Sequence, residues 1–421
     1  MQIKITGVER FLVDVPLDPV AERNLARTQP EWSITEICRV TTDAGLVGYG
    51  ETLVNYSWAV VTEKAVARVM GGNPFELMWD DTLGAGLQIA LFDVAGKAAG
   101  VPVYRLMGNK VRDWCPVSWW SIDMPPEDMA AEARRAVELG YTAQKQKARP
   151  YFDVRAQVEA VSKVVPEHFR IELDFNELLV NAASAVPVLK DLDQYPNVAI
   201  YESPIPQMDV DGGKRVRAQT RCAIALHVGA PPLTVALQQD LCDGFVVGGG
   251  ASSVLRQAAI LSAFNKPFFL QIVGTGITAS FALHIGAVAT HAQWPAVSCF
   301  NMYAHQMIRE PIRVVGGYSR VPETPGLGYE PDLDAVEQFR TTSITKPVPR
   351  AIYAFVRPDG TRTYYPAPVP MEPNPYWDDF KAGNEPIGER GVRLETLPDD
   401  GSAGWADLHR RLQAGPFRSG A

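Results

Sequence analysis

Three charged side chains end three short apolar runs, at 141–147, 169–176 and 198–204. They are Lys147, Asp174 and Glu202, spaced 27 and 28 residues apart. One strand-plus-helix unit of a (β/α)8 barrel takes roughly 31 residues, so this spacing puts each charge at the C-terminal end of a successive strand. That rim is where such barrels place their chemistry. A lysine facing paired carboxylates suits abstraction of a proton next to a metal-bound oxyanion. Strand alternation sets Lys145, Lys147 and Arg149 on one face, and Asp174 and Asn176 on one face. The competing reading is a buried salt-bridge layer inside the barrel. Three charges at three successive strand ends favour function.

These strands must sit within a larger chain. Its 421 residues suggest two or three domains, and 46% hydrophobic with 21% charged residues is ordinary globular composition. Net charge is −8 without a basic stripe, which argues against nucleic acid as a partner. The five cysteines, at 38, 115, 222, 242 and 299, are widely spaced and read as reduced buried thiols. No signal-like segment opens the sequence and no run of about 18 apolar residues occurs, so the expectation is a cytoplasmic protein with no membrane partner.

Residues 2–15, 35–42 and 46–51 read as strands, with 16–33 polar and irregular between the first two. Helical spacing starts near Ala59 and is strongest over 86–99, where Gly100 and Pro102 stop it. From about Pro116 strand and helix alternate, with strands expected near 118, 145, 172, 200, 225, 246, 270 and 297. Helix-like runs lie between them at 154–165, 182–192, 233–241, 254–264 and 278–289, while 212–220 has no clear type. The fold class is therefore α/β: an N-terminal α+β capping domain (1–112), a modified (β/α)8 TIM-type barrel (113–315), a return to the cap (316–340) and a C-terminal extension (341–421). The extension should carry a β-hairpin around 357–360.

Four motifs carry a family resemblance over roughly residues 1–340. They are Gly45-Leu-Val-Gly-Tyr-Gly-Glu51, Ala90-Leu-Phe-Asp93 running on to Pro102, Lys145-Gln-Lys147, and Pro325-Gly-Leu-Gly328. In order and spacing they resemble the enolase superfamily, in its mandelate racemase and muconate lactonizing enzyme branch. The resemblance implies a cap whose loop, about 16–33, shapes the pocket over the barrel. It implies alpha-proton abstraction from a small-molecule carboxylate, with the enediolate stabilised by Mg²⁺, and a homo-oligomer. Lys147 matches the basic lysine with Lys145 beside it. Asp174 and Glu202 match the first two metal ligands, and Asn176 matches a frequent companion of the first. Physically, a divalent ion on the carboxylate oxygens stabilises the dianion, and neighbouring positive charge with burial lowers the lysine pKa.

The sequence departs from the family at the later strands. His227 stands at the fifth strand end, where the family carries an acid. Three readings stay open: an unusual metal ligand favouring Mn²⁺ or another divalent ion over Mg²⁺, an acid/base group, or a site that has lost strong metal binding. The sixth strand ends in Gly248-Gly-Gly250 and lacks both the lysine and the aspartate of the two branch types; the seventh lacks the dyad histidine. Gln271 and Thr275 there, with Asn176 and Arg149, are expected to contact substrate. Racemisation needs a base on each face, whereas a one-base syn elimination needs only Lys147. The expected activity is a metal-dependent dehydratase of a sugar acid or related hydroxy acid. A cycloisomerase or epimerase, and a non-catalytic relative binding an acidic metabolite, are the alternatives.

Overall fold

A computed structural model of the chain, described over residues 2–56, 58, 60–368 and 374–419, begins with an antiparallel sheet. Strands β1 (Ile5–Asp14), β2 (Ile34–Thr42) and β3 (Val47–Leu53) form it in that order. The segment expected to be irregular folds instead as a helix, Pro19–Leu25, and a 3-10 turn, Pro30–Ser33. Proline at the first helical position of each fixes φ where no N–H is needed, and Ala21 and Leu25 bury the helix's inner side. Ala59, the expected onset of helix, lies outside the described residues; the first helix after β3 is Glu63–Val69.

The helix Ala85–Ala99 lies directly on β3 because the strand has glycine where they meet. A Cβ on Gly50 would sit 2.0 Å from the Gly86 carbonyl oxygen. Buried Asp93 on this helix accepts hydrogen bonds from the Tyr49 and Leu327 amides and from Lys97. One carboxylate thereby ties the cap sheet, its helix and the returning loop together. At the helix end Gly100 takes φ 67°, a left-handed cap that glycine adopts without steric cost.

After the short strand β4 (Trp114–Pro116) comes the parallel barrel sheet. Its strands are β5 (Trp119–Ser121), β6 (Ala143–Lys147), β7 (Arg170–Asp174), β8 (Val198–Glu202), β9 (Ala223–His227), β10 (Gly244–Val247) and β11 (Phe268–Leu270), hydrogen-bonded in sequence order. The eighth expected strand, near 297, is only a bridge. Ala296 pairs with Val117, and the Val297 amide donates to Leu270, so 296–298 spans the gap between β11 and β5. Pro295 lacks an N–H and Cys299 turns left-handed at φ 57°, which limits pairing to this short stretch. Of the stretch 212–220, residues 212–219 are helical, within Val210–Gln219, and Asp209 caps the helix start by accepting from the Gly212 amide.

Strand β12 (Tyr318–Arg320) pairs with β4 as the chain returns. Beyond it β13 (Ala351–Val356), β14 (Arg362–Pro366), β15 (Arg393–Pro398) and β16 (Phe417–Ser419) form an antiparallel sheet, order β15-β13-β14-β16. Tyr353, Phe355, Tyr365, Tyr376 and Phe380 bury against Tyr151 and Phe152 of the loop after β6, making one apolar cluster. Trp405 and Leu412 cover the other face over Ile352. Among the described residues no helix is long and apolar enough to cross a membrane. All five cysteines are free and buried.

Candidate active site

The parallel pairing of β6, β7 and β8 sets Lys147 opposite Asp174, and Asp174 opposite Glu202. The residue spacing read from sequence is thus a register: one charged residue per strand end, side by side. Lys147 Nζ donates to Asp174 Oδ2 and, at 3.0 Å, to Asn176 Oδ1. Arg149 donates to the same Asn176 oxygen at 2.5 Å. Asp174 and Glu202 are fully buried.

Lys145 points from the same face of β6 but one layer deeper, with no exposed surface. Its Nζ lies 2.5 Å from Glu202 Oε2, 3.6 Å from Asp174 Oδ2 and 3.8 Å from Glu172 Oε1, and donates to Gln271 Oε1 at 2.7 Å. The two lysines are driven apart in pKa. Burial pulls Lys145 down, but the carboxylates around it, Glu202 foremost, outweigh burial and raise it above an ordinary lysine. For Lys147 burial dominates, and Lys145 and Arg149 add repulsion, so its pKa falls despite Asp174. The carboxyls separate likewise. Burial pushes Glu172 well above the usual range, while Lys145 and His227 overcome burial at Glu202 and hold it well below. Environments that split like groups in this way mark out which gives up a proton and which keeps its charge. Of the two lysines, Lys147 gives up its proton the more readily and Lys145 keeps its charge the more firmly.

His227 ends β9, on the other side of the carboxylate pair from Lys147. Its Nε2 hydrogen-bonds Glu202 Oε1 at 2.9 Å, and its backbone amide donates to Gln207. The ring is half-buried and opens on a cavity of about 550 Å³. That cavity is also lined by Lys147, Arg149, Asn176 and Gln271, so the structure brings these expected site residues together with His227. Thr275 does not line it. The Thr275 amide donates instead to Glu51 of β3, as does the Thr278 amide, at 2.9 and 3.2 Å. β11 ends at Leu270, so Thr275 already begins the helix Gly276–Val288, whose amides face a cap carboxylate.

The cavity holds residues that sequence reasoning did not place. Trp32 and Tyr56 come from the cap, and Trp120, Asp123, Tyr151 and Cys299 from the barrel. Pro368, Asn374 and Trp377 come from the extension. Glu172 is another omission. Two residues before Asp174 on one strand, it shares that face, and alternation alone could have found it.

A divalent ion suits this donor set through two ligands. Asp174 and Glu202 are adjacent hard oxygen donors, and Glu202 Oε2, though beside Lys145, has no partner in hydrogen-bond geometry. Among the described residues no group of three or more His, Cys, Asp and Glu side chains converges as a ready chelate. Mg²⁺ commonly uses one or two carboxylates and completes its shell with water and substrate oxygens. His227 spends its Nε2 on Glu202.

Residues 128–335 match the sequence model of the family described as Enolase C-terminal domain-like. An N-succinyl-L-Arg/Lys racemase of Bacillus cereus is 27% identical over 54% of this chain and 66% of its own length. A D-xylonate dehydratase of Haloferax volcanii is 26% identical, over 72% of this chain and 84% of its own. Among solved structures, a mandelate racemase/muconate lactonizing family protein from Azoarcus sp. EbN1 superposes with TM-score 0.66 at 25% identity, covering 81% of this chain and 98% of that one. A muconate lactonizing enzyme of Pseudomonas fluorescens gives TM-score 0.67 at 20% identity, covering 80% and 99%.

Proposed function

We propose that this chain is a member of the enolase superfamily, in its mandelate racemase and muconate lactonizing enzyme branch, and that it dehydrates a sugar acid or related hydroxy acid. Relatives at about this level of identity include dehydratases of D-xylonate, D-gluconate, arabinonate and D-galactonate, besides cycloisomerases and racemases. The observation that carries the reading is the pair of proton carriers flanking Asp174 and Glu202: Lys147 at one end and His227 at the other, both open to one cavity.

Lys147, its pKa depressed, takes the proton from the carbon alpha to the substrate carboxylate. Lys145 stays charged beneath it and offsets the negative charge that builds on the carboxylate oxygens. Asn176 and Arg149 hold Lys147 in place and face the substrate. His227 protonates the hydroxyl that leaves from the neighbouring carbon, which departs as water. The enol product then takes a proton at that carbon to give the 2-keto-3-deoxy acid. Held by Asp174 and Glu202, Mg²⁺ or another divalent ion would supply Lewis-acid polarisation of the substrate carboxylate. The enclosing aromatic residues keep bulk water from the carbanion.

His227 also supports a second reading, an epimerase or cycloisomerase, since a group on the far side of the pair can return a proton to the opposite face. Incubation with a panel of pentonates and hexonates separates the two. Dehydration yields a 2-keto-3-deoxy acid one water lighter, detected by mass; epimerisation yields an isomer of unchanged mass. Isomers alone, with no loss of water from any acid, would count against the dehydratase.

A further inference from the structure

We propose that the C-terminal extension supplies a wall of the substrate cavity, with Trp377 its principal surface, and so selects for the end of the substrate remote from the reacting carboxylate. The selectivity rests on the hydroxy-acid reading above; the wall itself does not.

Three observations carry this. First, the cavity's lining comes from cap, barrel and extension together, the last giving Pro368, Asn374 and Trp377. Second, Trp377 is fixed by residues of the barrel rim. The Arg149 guanidinium lies 4.7 Å from the centre of its ring, and its Nε1 donates to Tyr151 OH at 3.3 Å. Tyr151 OH donates to Asp123 at 3.1 Å, and Asp123 pairs with Arg27 of the cap at 2.7 Å. Tyr353 of β13 closes the circuit by donating to the Arg27 carbonyl. The extension therefore touches both the lysine-bearing strand's loop and the cap segment over it. Third, the solved relatives are covered over 98–99% of their length while about a fifth of this chain is left over. That remainder matches the extension, 341–421, in length.

The extension is also anchored firmly enough to serve as a wall. Gly391 N donates to Asp153 at 2.7 Å, and Arg155 donates to the Gly388 carbonyl at 2.7 Å. Tyr376 and Phe380, on the helix that carries Trp377, are fully buried. Trp377 itself is half-buried, with part of its ring left toward the cavity.

The same cavity is lined by Trp32, which stacks on Trp120 at 5.2 Å and meets Tyr56 at 4.9 Å. Aromatic rings together with the amide side chains of Gln29, Asn55 and Asn374 suit a hydroxylated chain whose C–H faces pack on the rings and whose hydroxyls bind the amides. On this proposal a two-carbon acid occupies only the Lys147 end of the cavity, whereas a five- or six-carbon hydroxy acid extends to the wall.

Trp377→Ala and Trp377→Phe in the full chain test the wall without any ligand. Cys299 lines the cavity, whereas Cys38, Cys115, Cys222 and Cys242 do not. Iodoacetamide labelling, followed by peptide mass, should proceed several-fold faster at Cys299 in Trp377→Ala, stay near wild type in Trp377→Phe, and leave the other four thiols unchanged. Calorimetry then gives Kd for D-gluconate and for glycolate. Trp377→Ala should weaken D-gluconate about tenfold and leave glycolate unaltered. An unchanged Cys299 rate, a common rise at all five thiols, or equal weakening of both acids overturns the proposal. If the wild-type chain binds neither acid, the hydroxy-acid reading falls, and the thiol rates still decide the wall.

Discussion

Lys145→Met removes the cation under the cavity while keeping an unbranched side chain of similar length, so the loss is chiefly one of charge. Nζ lies within 2.5–3.8 Å of Glu202, Asp174 and Glu172, all of them nearly or wholly buried. Removing one partner from a buried ion pair costs about 3–5 kcal/mol, because the charge left behind is neither solvated nor paired. Glu172 softens the loss, since burial already favours its neutral form. Glu202 does not, because Lys145 is the main influence holding its pKa low. In wild type Glu202 contributes stability above its unfolded pKa, and this is lost as pH falls through the depressed folded value. In the variant the sign reverses. Burial now raises Glu202 above its unfolded value, so the penalty is largest near neutral pH and above, and shrinks as pH falls and the carboxyl is neutralised. Urea unfolding followed by circular dichroism at about pH 8 and about pH 5 reads both values. The variant should lose about 3–5 kcal/mol at the higher pH and clearly less at the lower. Added Mg²⁺ should restore part of it, about 2.7 kcal/mol at a hundred times its Kd. A variant with the wild-type urea midpoint at the higher pH refutes the cluster as described.

His284 accepts from the Tyr104 amide and bonds the Leu327 carbonyl, and burial pushes its pKa from 6.5 down to about 4. The folded imidazole stays neutral while the unfolded one protonates, so its contribution is complete above pH 6.5 and drops by about 3 kcal/mol as pH falls to about 4. Urea midpoints across that range should fall more steeply for wild type than for His284→Asn; parallel curves would dismiss the neutral buried histidine. Gly50→Ala should destabilise by about 3 kcal/mol, since its Cβ would meet the Gly86 oxygen at 2.0 Å and the Ala90 nitrogen at 2.6 Å, both backbone. Gly213→Ala meets nothing within 4 Å inside a helix and should stabilise by about 0.5–1 kcal/mol. Thermal unfolding of the two should move in opposite directions, and a shared direction would undo the packing argument.

Lys147, Asp174 and Glu202 were legible because a barrel repeats one unit, and parallel pairing turns equal spacing into adjacency. The cap motifs were legible for a similar reason: Gly50 and Asp93 serve local contacts whose partners lie nearby in the fold. Thr275 was misplaced because an apolar run does not show where a strand stops and the next helix begins. The eighth strand had the composition of a strand, but pairing there is cut short at Cys299. Trp377 carried no signal at all for its position. It meets Tyr151 across 226 residues, and nothing in the local sequence of the extension encodes a contact at that range.

The central claim is that Lys147 removes the alpha proton. Its most direct test is the fate of that proton in ²H₂O, followed by NMR with D-xylonate, D-gluconate, D-galactonate and arabinonate. The wild-type chain should convert at least one of these to a 2-keto-3-deoxy acid carrying solvent deuterium at C3. Lys147→Ala should fold normally, keep the affinity for Mg²⁺, and lose that conversion by a factor on the order of 10²–10⁴. Wild-type turnover by Lys147→Ala on the same acid would contradict the account.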